Sequence, residues 1–293
     1  MERKSIYDIG KKKKKAKSFI NRIIGNYILK MEDVAMDYIK EGNYDYTLNR
    51  YQSSAIYYKY GAETFEEIEK IEEATDAWYR YLKVLLKLNH IELAKEILET
   101  KLIEYTLRKG EYGKVGKLYL EFLNEMKEES ISGEERRKYL DKAIGYFEAA
   151  GNYKSTILIT ALELKAKSLI ESEQFIEAAK TYSRIGKNID HPVELNKVYV
   201  YESLCFIAGG DIGMGKIVYK LLEKTEKKRN TLNIMCKSII EGVEEQDIEK
   251  LLDAILGYDN MVSLDNHIIM VLNEIKRNIK SIEDTIEDDI DII

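Results

Sequence analysis

Apolar residues recur along this chain at the three- and four-residue spacing that lines one face of an α-helix. The clearest case is 173–186, EQFIEAAKTYSRIG, where Phe175, Ala178, Ala179, Tyr182, Ile185 and Gly186 make the apolar face and Glu177, Lys180 and Arg184 the polar one. Small residues on that face let a neighbouring helix come close, while Phe175 and Tyr182 fill the space further out. Such a helix needs partners on its buried side, and repetition supplies them. From Lys30 onward the pattern reads helix, turn, helix, with turn signals at 41–44, 88–90, 109–112, 132–133, 151–153, 172–175, 190–192 and 209–211. Most lie about twenty residues apart, so a helical hairpin takes about forty, within the range of tetratricopeptide-like and HEAT-like arrays. In the Gly-x-aromatic form at Tyr44, Tyr112 and Tyr153, glycine is expected to close one helix in a left-handed conformation and the aromatic to pack back on the next. Pro192 sits where proline suits the first turn of a helix.

After about residue 226 the pattern changes to shorter helices at 230–241, 245–256 and 264–280, the last carrying Ile268, Ile269, Leu272, Ile275 and Ile279 at helical spacing. The expected organisation is a basic disordered tail (1–17), a helical-hairpin solenoid with an apolar loop at its start (18–226), a C-terminal helical bundle (227–280) and an acidic tail (281–293) left unstructured until bound. Disorder is expected over 1–17 because a lysine block repels itself and buries nothing. The cluster 18–29 holds Phe19, Ile20, Ile23, Ile24, Tyr27 and Ile28, interrupted by Gly25. It reads either as a capping helix on the first repeat or as an amphipathic loop touching a membrane, and the residues alone favour the cap.

Composition sharpens this. One proline in 293 residues, with 33% of them charged, makes the chain all-α. A net charge of −6 argues against sequence-independent nucleic-acid binding. The charge is uneven, with Arg3, Lys4, Lys11 to Lys15, Lys17 and Arg22 at the start and Glu283, Asp284, Glu287, Asp288, Asp289 and Asp291 at the end, which suggests two different partners. Two isolated cysteines, Cys205 and Cys236, fit a reducing compartment. No apolar run is long enough to span a bilayer and the basic start lacks the core of a signal peptide, so a cytosolic chain with peripheral membrane contact is expected. The 22 tyrosines fall largely on the apolar stripes, as at Tyr57, Tyr79, Tyr119 and Tyr201, and read as packing residues.

Candidate chemistry is sparse. Residues 210–216, GDIGMGK, satisfy a phosphate-loop spacing, but Ile217 stands where a hydroxyl must hold magnesium and no strand precedes, so the segment reads as a turn. The histidines lack a catalytic partner at a recognisable spacing, and Glu66-Glu67 and Glu72-Glu73 read as solvated helix faces. No catalytic residue, metal or cofactor is expected.

The distal half resembles the α-type soluble NSF-attachment proteins, the SNAP adaptors of membrane fusion. The signals run in order from about residue 145: Glu173-Gln174-Phe175 with Ala178, Tyr182 and Gly186; Asp190 and Pro192; Leu204-Cys205; Asp211 with Lys216; Glu244 to Asp247; Tyr258-Asp259; Leu264-Asp265; Ile275-Lys276 and Ile279; then an acidic end closing on aliphatic residues. The front half agrees more loosely, with Ser18-Phe19-Ile20 and Ile23-Ile24-Gly25 similar to the family's exposed apolar loop, which lifts the membrane reading of that cluster above the capping one. The resemblance implies a monomer in solution, several copies of which coat a SNARE four-helix bundle and dock a hexameric AAA+ ATPase of the NSF type. It implies membrane contact through Phe19, Ile20, Ile23 and Ile24, and an ATPase-facing set of Asp211, Glu241, Glu244, Glu245 and the terminal Ile292 and Ile293, isoleucine standing where the family has leucine. On the SNARE-facing side Lys117 matches a basic family position and Lys114 lies one turn before it, whereas Glu111, Thr160 and Leu164 fall where basic residues are expected. Either Lys83, Lys87 and Lys154 complete a positive strip or the partner surface differs. The alternative to this adaptor is a generic helical-repeat scaffold binding an unrelated peptide or cargo.

Overall fold

A computed structural model describes residues 4–18, 26–127, 130–152, 155–225, 231–259, 261–262 and 264–290, and every regular element among them is helical. Two compact units divide the chain, Met1–Ser132 and Gly133–Ile293. The first holds α1 (Ile6–Ala16), α2 (Tyr27–Thr47), α3 (Tyr51–Glu67), α4 (Ile71–Lys87), α5 (Ile91–Ile97), a π-helical segment (Leu98–Ile103) leading into α6 (Glu104–Arg108), and α7 (Tyr112–Glu125). The second holds α8 (Gly133–Ala149), α9 (Thr156–Glu171), α10 (Phe175–Gly186), α11 (Pro192–Ala208), α12 (Ile212–Thr225), α13 (Thr231–Glu245), α14 (Ile248–Asp259) and α15 (Asn266–Ile290).

Each unit is built by sequential packing of antiparallel neighbours, α2 on α3 on α4 in the first and α8 through α12 in the second. The most regular of the amphipathic segments, α10, buries Phe175, Ala178, Ala179, Tyr182 and Ile185, the face its spacing marked, and Pro192 opens α11 as expected. The end of the second unit is a bundle in which α15 packs on α9, α11 and α14. Because α13 and α15 pack on α11, a boundary at 226/227 does not separate the compact units, which divide at 132/133.

One turn geometry joins most hairpins. A residue one or two positions past the helix takes a left-handed φ, and the next backbone N–H donates to the carbonyl five residues back: Arg50 to Asp45, Lys70 to Phe65, His90 to Leu85, Glu111 to Thr106, Asn152 to Phe147, Gln174 to Leu169, Asp211 to Phe206 and Asp247 to Gly242. This satisfies a carbonyl that a helix end otherwise leaves unpaired.

Several expectations need correction. The segment expected to be disordered up to residue 17 forms α1. Ser5 and Asp8 close a capping box, Ile9 and Ala16 are buried, and Lys4, Lys12, Lys13 and Lys17 find carboxylates, so the repulsion within the block is partly relieved. The turn placed at 41–44 lies inside α2, where Gly42 has no Cβ because one would sit 2.8 Å from the Tyr58 ring; the real turn is centred on Asn49. Gly110 and Gly151 are left-handed as expected; Tyr44 and Tyr112 stay largely exposed, and Tyr153 lies outside the described residues. Glu66 is not solvated: it accepts from Trp78 Nε1 at 2.6 Å, Lys101 Nζ at 2.9 Å and the Tyr105 hydroxyl. Burial alone would raise its pKa, and these donors overcome that and hold it below the ordinary carboxylate value. The acidic end, left unstructured by expectation, continues α15 to Ile290, since no proline or glycine interrupts 266–290.

Candidate functional site

The expected carboxylates gather at one end of the second unit. α13 runs through Glu245, so Glu241, Glu244 and Glu245 share a face at i, i+3 and i+4 spacing. Asp211 caps the start of α12, its carboxylate accepting the Met214 N–H at 2.9 Å. A cleft of about 620 Å³ brings these elements together, lined by Gly210 and Ile212 on either side of Asp211, by Glu244 and Gln246, and by Phe175 and Ile275 at its apolar floor. The face is partly compensated. Lys250 lies 3.3 Å from Glu241 and 3.1 Å from Glu245, and Lys216 pairs with Glu244. Hydrogen bonding to Glu245 raises the Lys250 pKa, so the ammonium stays charged. The carboxylates keep 40 to 59% of their side-chain surface exposed, enough to meet a cationic partner by exchanging one ion pair for another. Glu173, in the turn before α10, and Glu274 of α15 also line the cleft, bridged by Arg277 at 3.6 and 3.1 Å; the sequence marks Glu173 only as a turn and motif residue, and Glu274, a single charge on a long helix, carries no signal there.

In the first unit the lysines frame a groove between α4 and α7. Lys83 and Lys87, one turn apart on α4, flank Glu125 of α7 at 3.7 and 3.9 Å. Lys114 and Lys117 sit on α7, Lys114 2.9 Å from Glu111 and Lys117 3.5 Å from Glu121. Glu111 thus tempers the strip instead of extending it. Tyr79 stands between the two sets, its hydroxyl donating to Glu121 at 2.8 Å and its ring 5.1 Å below Lys83 Nζ. Burial, then the bond to Glu121, push the Tyr79 phenol pKa up, which keeps it a donor. Tyr79 lines two adjoining hollows, of about 510 Å³ with Tyr46, Tyr58 and Arg80, and of about 430 Å³ with Tyr105, Lys114 and Lys117. The sequence pattern marks those tyrosines as packing residues and is silent on Arg80, because periodicity picks out the side of a helix without distinguishing a buried ring from a groove wall.

Phe19, Ile20, Ile23 and Ile24, Lys154, and Ile292 and Ile293 lie outside the described residues. The 210–216 segment is a turn and helix start, with Gly210 left-handed, and Lys216 is committed to Glu244. Among the described residues no His, Cys, Asp and Glu cluster could hold a metal, and no helix is long and apolar enough to cross a membrane.

The family model for the soluble NSF attachment protein, SNAP, matches residues 2–280. This chain belongs to the SNAP family. A curated SNAP-related match is the vesicular-fusion protein SEC17 of Komagataella phaffii, 28% identical over 127 residues, which cover 41% of this chain and 42% of that protein. The aligned stretch therefore spans less than half the relative's length. Among solved structures, the chain is similar to BtubC from P. vanneervenii (TM-score 0.44, 11% identity, 77% of this chain and 94% of that one). Another is a signal-transduction ATPase with a tetratricopeptide repeat sensor from Pyrococcus horikoshii (TM-score 0.33, 14% identity, 89% and 48%). The SNAP assignment rests on the family match, and the helical architecture on the chain's own elements.

Proposed function

We propose that this SNAP-family chain is a non-catalytic, cytoplasmic adaptor that bridges an assembled SNARE four-helix bundle to a hexameric NSF-type AAA+ ATPase, so that the motor can pull the bundle apart. The observation that carries this is the family match across residues 2–280; the vesicular-fusion relative agrees with it. The lysine and tyrosine groove of the first unit supplies donors and aromatic faces to an acidic helical bundle, and the acidic end of the second unit supplies carboxylates to a basic motor domain. The chain contributes charge and position and no bond chemistry. It is monomeric in solution and acts in several copies on one bundle, peripheral to an anionic membrane, where Phe19, Ile20, Ile23 and Ile24 enter the headgroup layer. Each copy binds weakly, and tethering on one bundle makes the later contacts effectively intramolecular.

The test is a pull-down with the cognate ATPase, locked in its ATP state, and an assembled SNARE bundle in detergent. A ternary complex is expected. Glu244→Lys with Glu245→Lys should cut ATPase capture at least tenfold while leaving helicity and SNARE capture intact. These two carboxylates sit in exposed ion pairs, each contributing about 0 to 1 kcal/mol to the fold. Absence of any complex moves the assignment to a helical-repeat scaffold for an unrelated cargo, and unchanged ATPase capture removes Glu244 and Glu245 from the interface.

A further inference from the structure

The lysine run at the start of the chain divides into two sets once α1 is folded. Ile9 and Ala16 form the buried seam of the helix. On one flank of that seam Lys12 reaches Asp37 at 2.7 Å, joined there by Lys4 at 2.8 Å, and on the other Lys13 and Lys17 reach Glu67 at 3.5 and 2.6 Å. Lys13 also donates to the Thr64 hydroxyl, and the Tyr57 hydroxyl to the Lys4 carbonyl. Asp37 keeps 9% of its side-chain surface exposed, so this is a buried carboxylate gripped by two ammonium groups. Pinned on both flanks, α1 cannot roll about its axis without breaking ion pairs.

The far side of α1 is thereby fixed outward. It carries Tyr7, Lys11 and Lys14 at i, i+4 and i+7, with Lys15 beside Lys14, all exposed, and Tyr7 is 69% exposed with Lys11 Nζ 4.3 Å from its ring. The carboxylate on this side, Asp8, is held by the Ser5 cap. The result is an outward strip of positive charge with one amphipathic ring.

We propose that the outer strip of α1, Lys11, Lys14 and Lys15 with Tyr7, is a docking surface for anionic phospholipid headgroups, while Lys4, Lys12, Lys13 and Lys17 hold the helix in place. Complementarity of charge selects an anionic surface, and a tyrosine suits the headgroup layer, where its ring is half immersed and its hydroxyl wet. Nucleic acid is disfavoured by the net charge of −6, which spreads repulsion over the rest of the chain. In sequence the strip runs directly toward Phe19 and Ile20, so headgroup and apolar contacts would fall on the same membrane. The inference rests on the membrane part of the proposed function and makes the lysine strip the source of lipid selectivity.

The test measures binding of the full chain to vesicles of phosphatidylcholine alone or mixed with phosphatidylserine, over a salt series. A lysine near an anionic surface is worth about fivefold in partitioning, so Lys11→Gln, Lys14→Gln and Lys15→Gln together should lose on the order of a hundredfold on the serine-containing vesicles at low salt. The salt dependence should flatten, and binding to phosphatidylcholine alone should stay unchanged. The triple Lys→Arg variant should bind as the parent does, and circular dichroism should show both variants folded. Parental binding by the Gln variant overturns the proposal, as does equal loss in the Arg variant. Lysine-dependent binding to a single-stranded oligonucleotide without lysine-dependent vesicle binding overturns it too. The detergent pull-down separates the two readings: a chain that captures no ATPase yet needs these lysines on vesicles keeps this surface and loses the adaptor role.

Discussion

At the scale of single residues, the most consequential side chain is one that touches no candidate site. Glu202 on α11 is 5% exposed, facing Ser183 of α10 and Lys187 just past its end. Burial raises its pKa to about 7, more than the Ser183 hydrogen bond and the Lys187 charge can lower it. A carboxyl whose folded pKa lies above its unfolded value of 4.5 costs nothing at low pH. Stability falls as pH rises past the unfolded value and reaches its full loss above the folded one, a span worth about 3 kcal/mol. Glu202→Gln keeps the shape and a hydrogen-bonding amide without the charge. It is expected to stabilise the second unit by about 2 to 3 kcal/mol at pH 8 and hardly at all at pH 4, measured by urea unfolding at both. An equal gap at both values would mean that the carboxylate is solvated in the native state. Cys205, one turn along the same helix, is fully buried, and its thiol is likewise pushed up, so it acts as a small packing group rather than a nucleophile.

At the scale of elements, the hairpin turns show how much of the fold is legible in the residues alone. Where the left-handed residue is glycine, as at Gly110, Gly151 and Gly210, the turn is visible in the sequence, and at Asn89 and Glu173 the neighbouring residues reveal it. Asn49, Glu69 and Gln246 give no such sign, because the geometry is set by the carbonyl bond five residues back and by packing of the following helix, and no residue type announces it. Gly42 misleads for the opposite reason: glycine there serves close approach of the Tyr58 ring within a helix. The same limit hides α1, whose lysines look repulsive in sequence and whose inner ones are paired only when Asp37 and Glu67 are brought beside them. Glu69 lets the turn energetics be measured. Its φ of 58° strains an L-residue by about 1 kcal/mol, and its side chain lies exposed, so Glu69→Gly is expected to stabilise the first unit by about that amount. Gly110→Ala, at φ 70°, should destabilise the same unit by a similar margin. Chemical denaturation of both variants checks the pair, and a destabilising Glu69→Gly would show that the Glu69 side chain makes contacts outweighing the strain.

At the scale of the whole molecule, the two candidate surfaces are carried by different compact units, each with its own buried residues. The groove residues Tyr79, Lys83, Lys114 and Lys117 all precede Ser132, and Asp211, Glu241, Glu244 and Glu245 all follow Gly133. Every element that shapes the acidic end, from α10 to α15, belongs to the second unit. Its core, including Leu158, Leu162, Ile185, Leu204, Ile239 and Leu272, is drawn from the same span. A fragment of residues 133–293 is therefore expected to fold cooperatively and to retain ATPase capture within about tenfold of the full chain at matched concentration. It should lose SNARE capture. Circular dichroism and thermal unfolding establish that the fragment is folded, and capture by immobilised ATPase measures the site. A folded fragment that captures nothing would mean that the motor reads charge from both units, and the acidic end alone would no longer account for the contact.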